Sequence, residues 1–208
     1  MNIAIIGSGN MANGIGSRVI AGGHSLTIFD RDETKAKELA NNLGKAQGKK
    51  LGDAILEDVI ILALPYSAIS QVLEENKNQL KNKIIVDISN PINFETFELV
   101  TPSGSSGTEE IAKNLPADAK LLKAFNTTFA GTLIEGKVDR KILDVFIAGD
   151  DEEAKNSLIQ IIKDGGLRPI DVGSLREAHA LEEVGRLHIK LQEKLGNTWM
   201  STFKVLPD

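Results

Sequence analysis

Along the chain, short apolar runs alternate with stretches whose apolar positions recur at helical spacing. Residues 2–6 (NIAII), 25–29 (SLTIF), 59–64 (VIILAL), 84–88 (IIVDI), 120–125 (KLLKAF) and 145–148 (VFIA) are rich in Ile, Val and Leu, and each predicts a strand. A weaker third strand is expected near Lys50 and Leu51. Helices are expected over residues 10–21, 32–43, 66–80 and 151–164. Apolar runs without strict alternation belong to strands covered on both faces, and strands alternating with helices pair in parallel. The predicted fold class is α/β: a doubly wound, mostly parallel sheet of the Rossmann type with a C-terminal helix.

Residues 101–107 (TPSGSSG) break the pattern and read as a surface loop, too short to link domains. Ser106 and Glu109 then have the spacing of a capping box, opening a helix to about Asn114. The sheet pattern runs to about residue 172. Residues 171–174 (DVGS) introduce a last amphipathic helix, with Leu175, Ala178, Leu181, Val184, His188, Leu191 and Leu195 on one face. Trp199, Met200, Phe203, Val205 and Leu206 extend that apolar character. The expected organisation is a single NAD(P)-binding domain over 1–208, with 173–208 forming a helix and tail that make a homodimer contact.

Composition narrows the classes. A net charge of −5 over 208 residues argues against a nucleic-acid partner. No segment approaches the ~18 apolar residues of a membrane span, and the first residues lack the pattern of a secretory signal. There are no cysteines, which removes disulfides and zinc–thiolate sites. The expectation is a cytoplasmic protein with no membrane partner and no metal.

The chemistry begins at residues 7–12. Gly7-Ser8-Gly9-Asn10-Met11-Ala12 fits G-x-G-x-x-G/A, follows a predicted strand and opens a predicted helix, the context this motif requires. Gly7 permits the tight turn, Gly9 lets backbone approach a pyrophosphate, and Ala12 allows close helix–strand packing. The pyrophosphate would rest on free N–H groups at the positive end of the helix dipole. Asp30 ends the second strand, where a carboxylate can accept from ribose hydroxyls and so favours NAD. Arg31 and Lys35 lie beside it and could hold a 2′-phosphate instead. Asp30 could equally cap the next helix with Arg31 a solvated charge, so NAD and NADP both stay open.

Leu64-Pro65-Tyr66 and Ser89-Asn90-Pro91 follow the fourth and fifth strands, at carboxyl ends near the switch in strand order, where α/β sheets bind ligands. Pro65 stops its strand whether or not it touches a ligand. Asn90 could hydrogen-bond a carboxamide or merely stabilise its turn. No acid–base constellation emerges, and the catalytic residues are unknown. His24 falls in a turn far from the expected cleft, and His179 and His188 read as packing or surface residues. Asp150, Asp151, Glu152 and Glu153 suit a helix start. Asp87 is a carboxylate without a visible partner.

Six segments together carry a family resemblance: IIGSGNMANGIG, LALPYSAI, IIVDISNPINF, LLKAFNTTFAGTL, VFIAGDDEEAK and GGLRPIDVGSLREAHALEE. The chain resembles the coenzyme F420-dependent NADP oxidoreductases over nearly its whole length. It is also similar to the reductase domain of the six-transmembrane ferric reductases. The resemblance implies a pyrophosphate turn at Ser8, Gly9, Asn10 and Met11, and 2′-phosphate cations at Arg31 and Lys35. It places the nicotinamide beside Leu64, Pro65, Tyr66, Ser89, Asn90 and Pro91, and a second-cofactor pocket at Asn126 and Ala130. Asp30 stands where the family has a small polar residue, and Asn126 where the deazaflavin enzymes carry a histidine.

The pattern leaves little room for a dedicated substrate domain, so an acceptor must dock over the nicotinamide in an open cleft or one completed by a second subunit. A flat ring suits this, because hydride passes face to face and positioning to about 3–3.5 Å does most of the work. The expected function is therefore hydride transfer between NADP or NAD and a small-molecule redox acceptor, a flavin or a deazaflavin such as coenzyme F420. Two rivals are a non-enzymatic redox-sensing module and a reductase of a small carbonyl substrate or ferric chelate; in the carbonyl case Tyr66 or a water would give the proton.

Overall fold

A computed structural model of the chain describes residues 1–207. Its centre is an eight-stranded sheet in the order β10-β9-β6-β5-β4-β1-β2-β3. The strands are β1 (Asn2–Ile6), β2 (Ser25–Asp30), β3 (Ala46–Lys50), β4 (Val59–Leu62), β5 (Ile84–Asp87), β6 (Lys120–Ala124), β9 (Asp144–Gly149) and β10 (Arg168–Gly173). All neighbours pair in parallel except β6 and β9, which run antiparallel. The reversal follows a helix and a small hairpin, β7 (Lys137–Val138) with β8 (Lys141–Ile142), between β6 and β9.

The helices are α1 (Asn10–Ala21), α2 (Glu33–Leu43), α3 (Tyr66–Asn76), α4 (Gly107–Ala112), α5 (Ala130–Glu135), α6 (Glu152–Asp164) and α7 (Ala178–Leu191). The doubly wound reading holds, and the strands' two-residue period explains it. Ile3, Ile5, Val59, Ile61, Val86 and Leu122 pack one face against α1, α2 and α6. Their sequence neighbours Ala4, Ile6, Ile60, Leu62, Ile85 and Leu121 pack the other face against α3 and α4. The central strands are thus mostly apolar on both faces because each face is covered.

Several boundaries shift. The third strand expected near Lys50 and Leu51 begins earlier and spans Ala46–Lys50; Leu51 makes only an isolated bridge to Asp53. Gly48 lets this edge strand pass α2, because a Cβ there would lie 2.5 Å from the Lys37 backbone. The predicted capping box is present: Ser106 accepts from the Glu109 N–H while the Glu109 carboxylate accepts from the Ser106 N–H. Asp151 caps α6, with Glu152 and Glu153 in its first turn, as their charge suggested. The helix α5 and the β7–β8 hairpin had no signal in the apolar pattern, being short.

Candidate functional site

The site lies at the carboxyl ends of β1, β4, β5 and β6, where strand order turns back on either side of β1. Gly7, just after β1, has φ +110°, and a Cβ on it would lie 2.3 Å from the Ala63 carbonyl oxygen. The fold itself requires glycine there. Gly9 differs: its φ is −80°, open to any residue, and a Cβ on it would meet nothing within 4 Å. It is the N-terminal cap residue of α1, and no side chain bonds the N–H groups of the first turn. The first turn also carries no acidic side chain, so the positive end of a twelve-residue helix faces open space. These features fit a diphosphate.

The Asp30 carboxylate is turned toward this bend. One oxygen accepts from the Ser8 hydroxyl at 2.6 Å and the other from the Asp32 N–H at 2.9 Å. Asp30 therefore does not cap α2; Asp32 does, accepting from the Thr34 N–H at 3.0 Å. Lys35 lines a cavity of about 290 Å³ with Ser8, Gly9 and Asn10, which brings it to the glycine turn. Arg31 points the other way, 3.6 Å from the Glu75 carboxylate of α3, with both side chains about half exposed. Such an exposed pair is weak and exchanges readily for a stronger anion.

Beyond the glycine turn lies a cavity of about 590 Å³. Among the sequence-predicted residues, Asn10, Met11, Asn90, Asn126 and Ala130 line it together. Leu64, Pro65, Tyr66, Ser89 and Pro91 do not. Pro65 instead starts α3, and the Tyr66 ring sits by Pro91 at the start of α4, where a Cβ on Gly107 would touch both. Burial, together with Glu110, Glu182 and Asp87, raises the Tyr66 phenol above its ordinary pKa, so it stays protonated at neutral pH. Sequence reasoning missed Phe94, Phe129, Ile134 and Ile189 as cavity walls, and saw Trp199 only as part of an apolar tail. Among the described residues, no acidic or basic side chain lines this cavity.

Three elements meet behind it. The Asn90 amide donates to the Asn126 carbonyl at 2.8 Å, while the Asn126 amide donates to Asn90 Oδ1 at 2.9 Å and to the Leu181 carbonyl at 2.8 Å. Gly185 of α7 makes this possible, since a Cβ there would lie 2.4 Å from Asn90 Oδ1. Asp87, read from sequence as partnerless, is fully buried and bonded to Lys123 Nζ at 2.8 Å. Lys123 also donates to Glu182 of α7 at 2.9 Å and to the Ser89 carbonyl at 2.6 Å. Glu182 accepts in addition from the Gly107 and Thr108 N–H groups. The buried face of α7 is thus Ala178, Leu181, Glu182, Gly185 and His188, whereas the predicted members Leu191 and Leu195 are exposed.

The histidines lie apart from the glycine turn. His24 is 3.2 Å from Asp164. His179 is half-buried on the outer side of α7, and His188 is buried, bonded to the Thr127 carbonyl and the Ser201 hydroxyl. No group of three His, Asp or Glu side chains suited to a metal ion occurs among the described residues, nor does any helix long and apolar enough to cross a membrane.

Comparison with known proteins gives concordant matches. The sequence profile described as "NADP oxidoreductase coenzyme F420-dependent" matches residues 2–91. The F420-dependent NADP reductase of Methanocaldococcus jannaschii is 31% identical over 214 residues, covering 93% of each chain. Metalloreductase STEAP3 of Rattus norvegicus is 29% identical over 182 residues; the match covers 88% of this chain but 36% of that protein. Among solved structures, a candidate F420-dependent NADP-reductase from Arthrobacter sp. FB24 superposes with a TM-score of 0.87 at 25% identity, with both chains fully covered.

Proposed function

Because the chain belongs to the family of coenzyme F420-dependent NADP oxidoreductases and is an NAD(P)-dependent oxidoreductase, we propose that it passes hydride between NADP(H) and a flavin- or deazaflavin-like ring. The observation that carries this reading is the pairing of two spaces. One is the open ground over Gly9 at the start of α1; the other is the apolar cavity that shares Asn10 with it.

In this reading the first-turn N–H groups of α1 hold the diphosphate, with Gly9 giving the close approach. Lys35 reaches the adenosine side, and Arg31 leaves Glu75 to join it on a 2′-phosphate. Asp30 opposes that phosphate less than an unbonded carboxylate would, since Ser8 and Asp32 already donate to it. A nicotinamide coenzyme so held supplies a hydride, two electrons with one proton, and the acceptor ring takes a second proton from solvent. The chain's own part is to bind, orient and exclude water. Met11, Phe129 and Trp199 offer flat or flexible apolar surface for a ring, and positioning of two rings is the main source of rate. Among the described residues no cation lines the cavity to meet a carboxylate substrate, which favours an uncharged ring edge over a hydroxy or imino acid.

Calorimetric titration with NADPH and NADH tests the coenzyme half. NADPH should bind more tightly in the wild type, and Arg31→Ala should lose most of that preference. Equal affinity for both coenzymes in the wild type would show that Asp30 dominates. Steady-state oxidation of NADPH with riboflavin, 5-deazariboflavin and F420 tests the acceptor half; no turnover with any ring sinks it.

A further inference from the structure

The apolar cavity has a buried floor and an exposed mouth. Ile88, Asn126 and Phe129 are nearly closed off from solvent, whereas Phe94, Ile134 and Trp199 are 68%, 42% and 43% exposed. Phe94 differs from the other two in what carries it: a hairpin-like loop, residues 91–100, bonded mainly to itself. Asn93 Oδ1 accepts from the Glu95 N–H at 2.8 Å and the Thr96 N–H at 3.3 Å. The Asn93 carbonyl accepts from the Phe97 N–H, and the Glu98 carbonyl from the Asn93 N–H. At the base, Ile92 and Leu99 form an antiparallel bridge, and Pro91 and Ile92 are buried. Among the described residues, one hydrogen bond ties the tip to the rest of the molecule. Arg186 of α7 donates it to the Phe97 carbonyl at 3.4 Å, long for such a bond. On its other side the loop faces a second cavity of about 440 Å³, with His179, Glu183 and Arg186 of α7 opposite.

We propose that residues 91–100 form a lid, which swings toward the apolar cavity when the acceptor ring binds and lays the Phe94 ring over it. This assignment rests on the hydride-transfer reading above. A unit that is stiff within itself, fixed at its base and lightly held at its tip moves as one piece at low cost. Space lies on both sides of it, so the swing meets no packed core. The second cavity is lined largely by polar groups, so widening it uncovers little apolar surface. Closing the mouth does the reverse, because it covers Phe94, the most exposed of these three large apolar side chains. An aromatic ring is suited to the task, since it stacks on a planar ligand while ordering few torsions. The closed lid excludes water from the space between the two rings, as hydride transfer requires.

The chain has no cysteine, so Glu95→Cys with His179→Cys gives two unique thiols, one at the lid tip and one on α7 across the second cavity. Both carry spin labels in the full chain, diluted with unlabelled chain. Their separation is measured by pulsed electron resonance for the protein alone, with NADP+, and with NADP+ plus oxidised 5-deazariboflavin, a pair that does not react. Adding the ring should lengthen the separation by at least about 3 Å. In Phe94→Ala, kcat/KM for 5-deazariboflavin should fall about tenfold and recover in Phe94→Tyr, while NADPH affinity stays within about twofold. Phe94 is exposed, so these variants keep the fold. An unchanged separation on adding the ring overturns the lid, and so does an undiminished acceptor rate in Phe94→Ala. A full lengthening with NADP+ alone assigns the closure to the coenzyme and overturns it as well. In each of these cases wild-type turnover with the ring leaves hydride transfer standing. Failure of the wild type to reduce any ring overturns the hydride-transfer reading and the lid together.

Discussion

Gly7 and Gly9 stand two residues apart and answer to different constraints. At Gly7 the backbone is left-handed and Ala63 blocks a side chain. Gly7→Ala should therefore cost at least about 2 kcal/mol of stability in chemical denaturation. At Gly9 neither objection applies. Gly9→Val should change stability by only about 1 kcal/mol, yet weaken NADPH at least tenfold by calorimetry; unchanged affinity would empty the turn of its assigned role. The two glycines were legible in the sequence because spacing and context carry the motif. The pairing of Asp87 with Lys123 was not, since the two residues are 36 positions apart on adjacent strands. Arg31 and Lys35 were legible as cations, but the ion pair with Glu75 was set by where α3 passes.

At the scale of elements, α7 closes the back of the apolar cavity, with Gly185 against Asn90 and Asn126 and Ile189 in the wall. Apolar spacing found Ala178, Leu181 and His188 of its buried face but missed Glu182 and Gly185. Glu182 is buried only because Lys123 and the first N–H groups of α4 satisfy it, a tertiary arrangement that hydropathy cannot report. Lys123→Met would leave Asp87 and Glu182 buried without their cation, and should cost about 3–5 kcal/mol in denaturant unfolding. Gly185→Ala tests the other contact. Alanine favours helix by about 1 kcal/mol, but its methyl would strike the Asn90–Asn126 pair. Acceptor kcat/KM should fall at least tenfold while NADPH affinity stays within about twofold; an unchanged acceptor rate would show that the amide pair does not shape the cavity.

For the molecule as a whole, the doubly wound sheet followed from sequence because the central strands are buried on both faces and read as largely apolar runs. The way the tail closes the structure did not. Residues 199–207 form no helix or strand and are held by side chains. The Trp199 ring packs edge-on against Phe129 at 5.1 Å, Ser201 bonds His188 and Gln192, and Lys204 pairs with the buried Asp144. His188 donates from Nδ1 to the Thr127 carbonyl, so its Nε2 accepts from Ser201. Burial holds this imidazole below its ordinary pKa of 6.5, outweighing the Thr127 bond. A depressed histidine pKa means the unfolded chain takes up the proton first. Stability is then complete above about pH 6.5 and declines as pH falls toward the folded value. His188→Gln should flatten that slope in pH-dependent melting curves. The exposed Leu187 and Leu191 of α7, with Leu195 in the turn just beyond it, are the face we propose for a second copy of this chain. Sedimentation should give a dimer, and Leu191→Glu with Leu195→Glu a monomer.

The attachment of that tail has a further implication. A wall fastened by scattered side-chain bonds can be rewritten residue by residue without disturbing any ladder of the sheet. The coenzyme half, by contrast, is cast in backbone at Gly7 and the head of α1. Substituting residues 199–203 should therefore retune which oxidant the protein accepts while its electron donor stays the same, making the last stretch of chain the natural place to begin redesign.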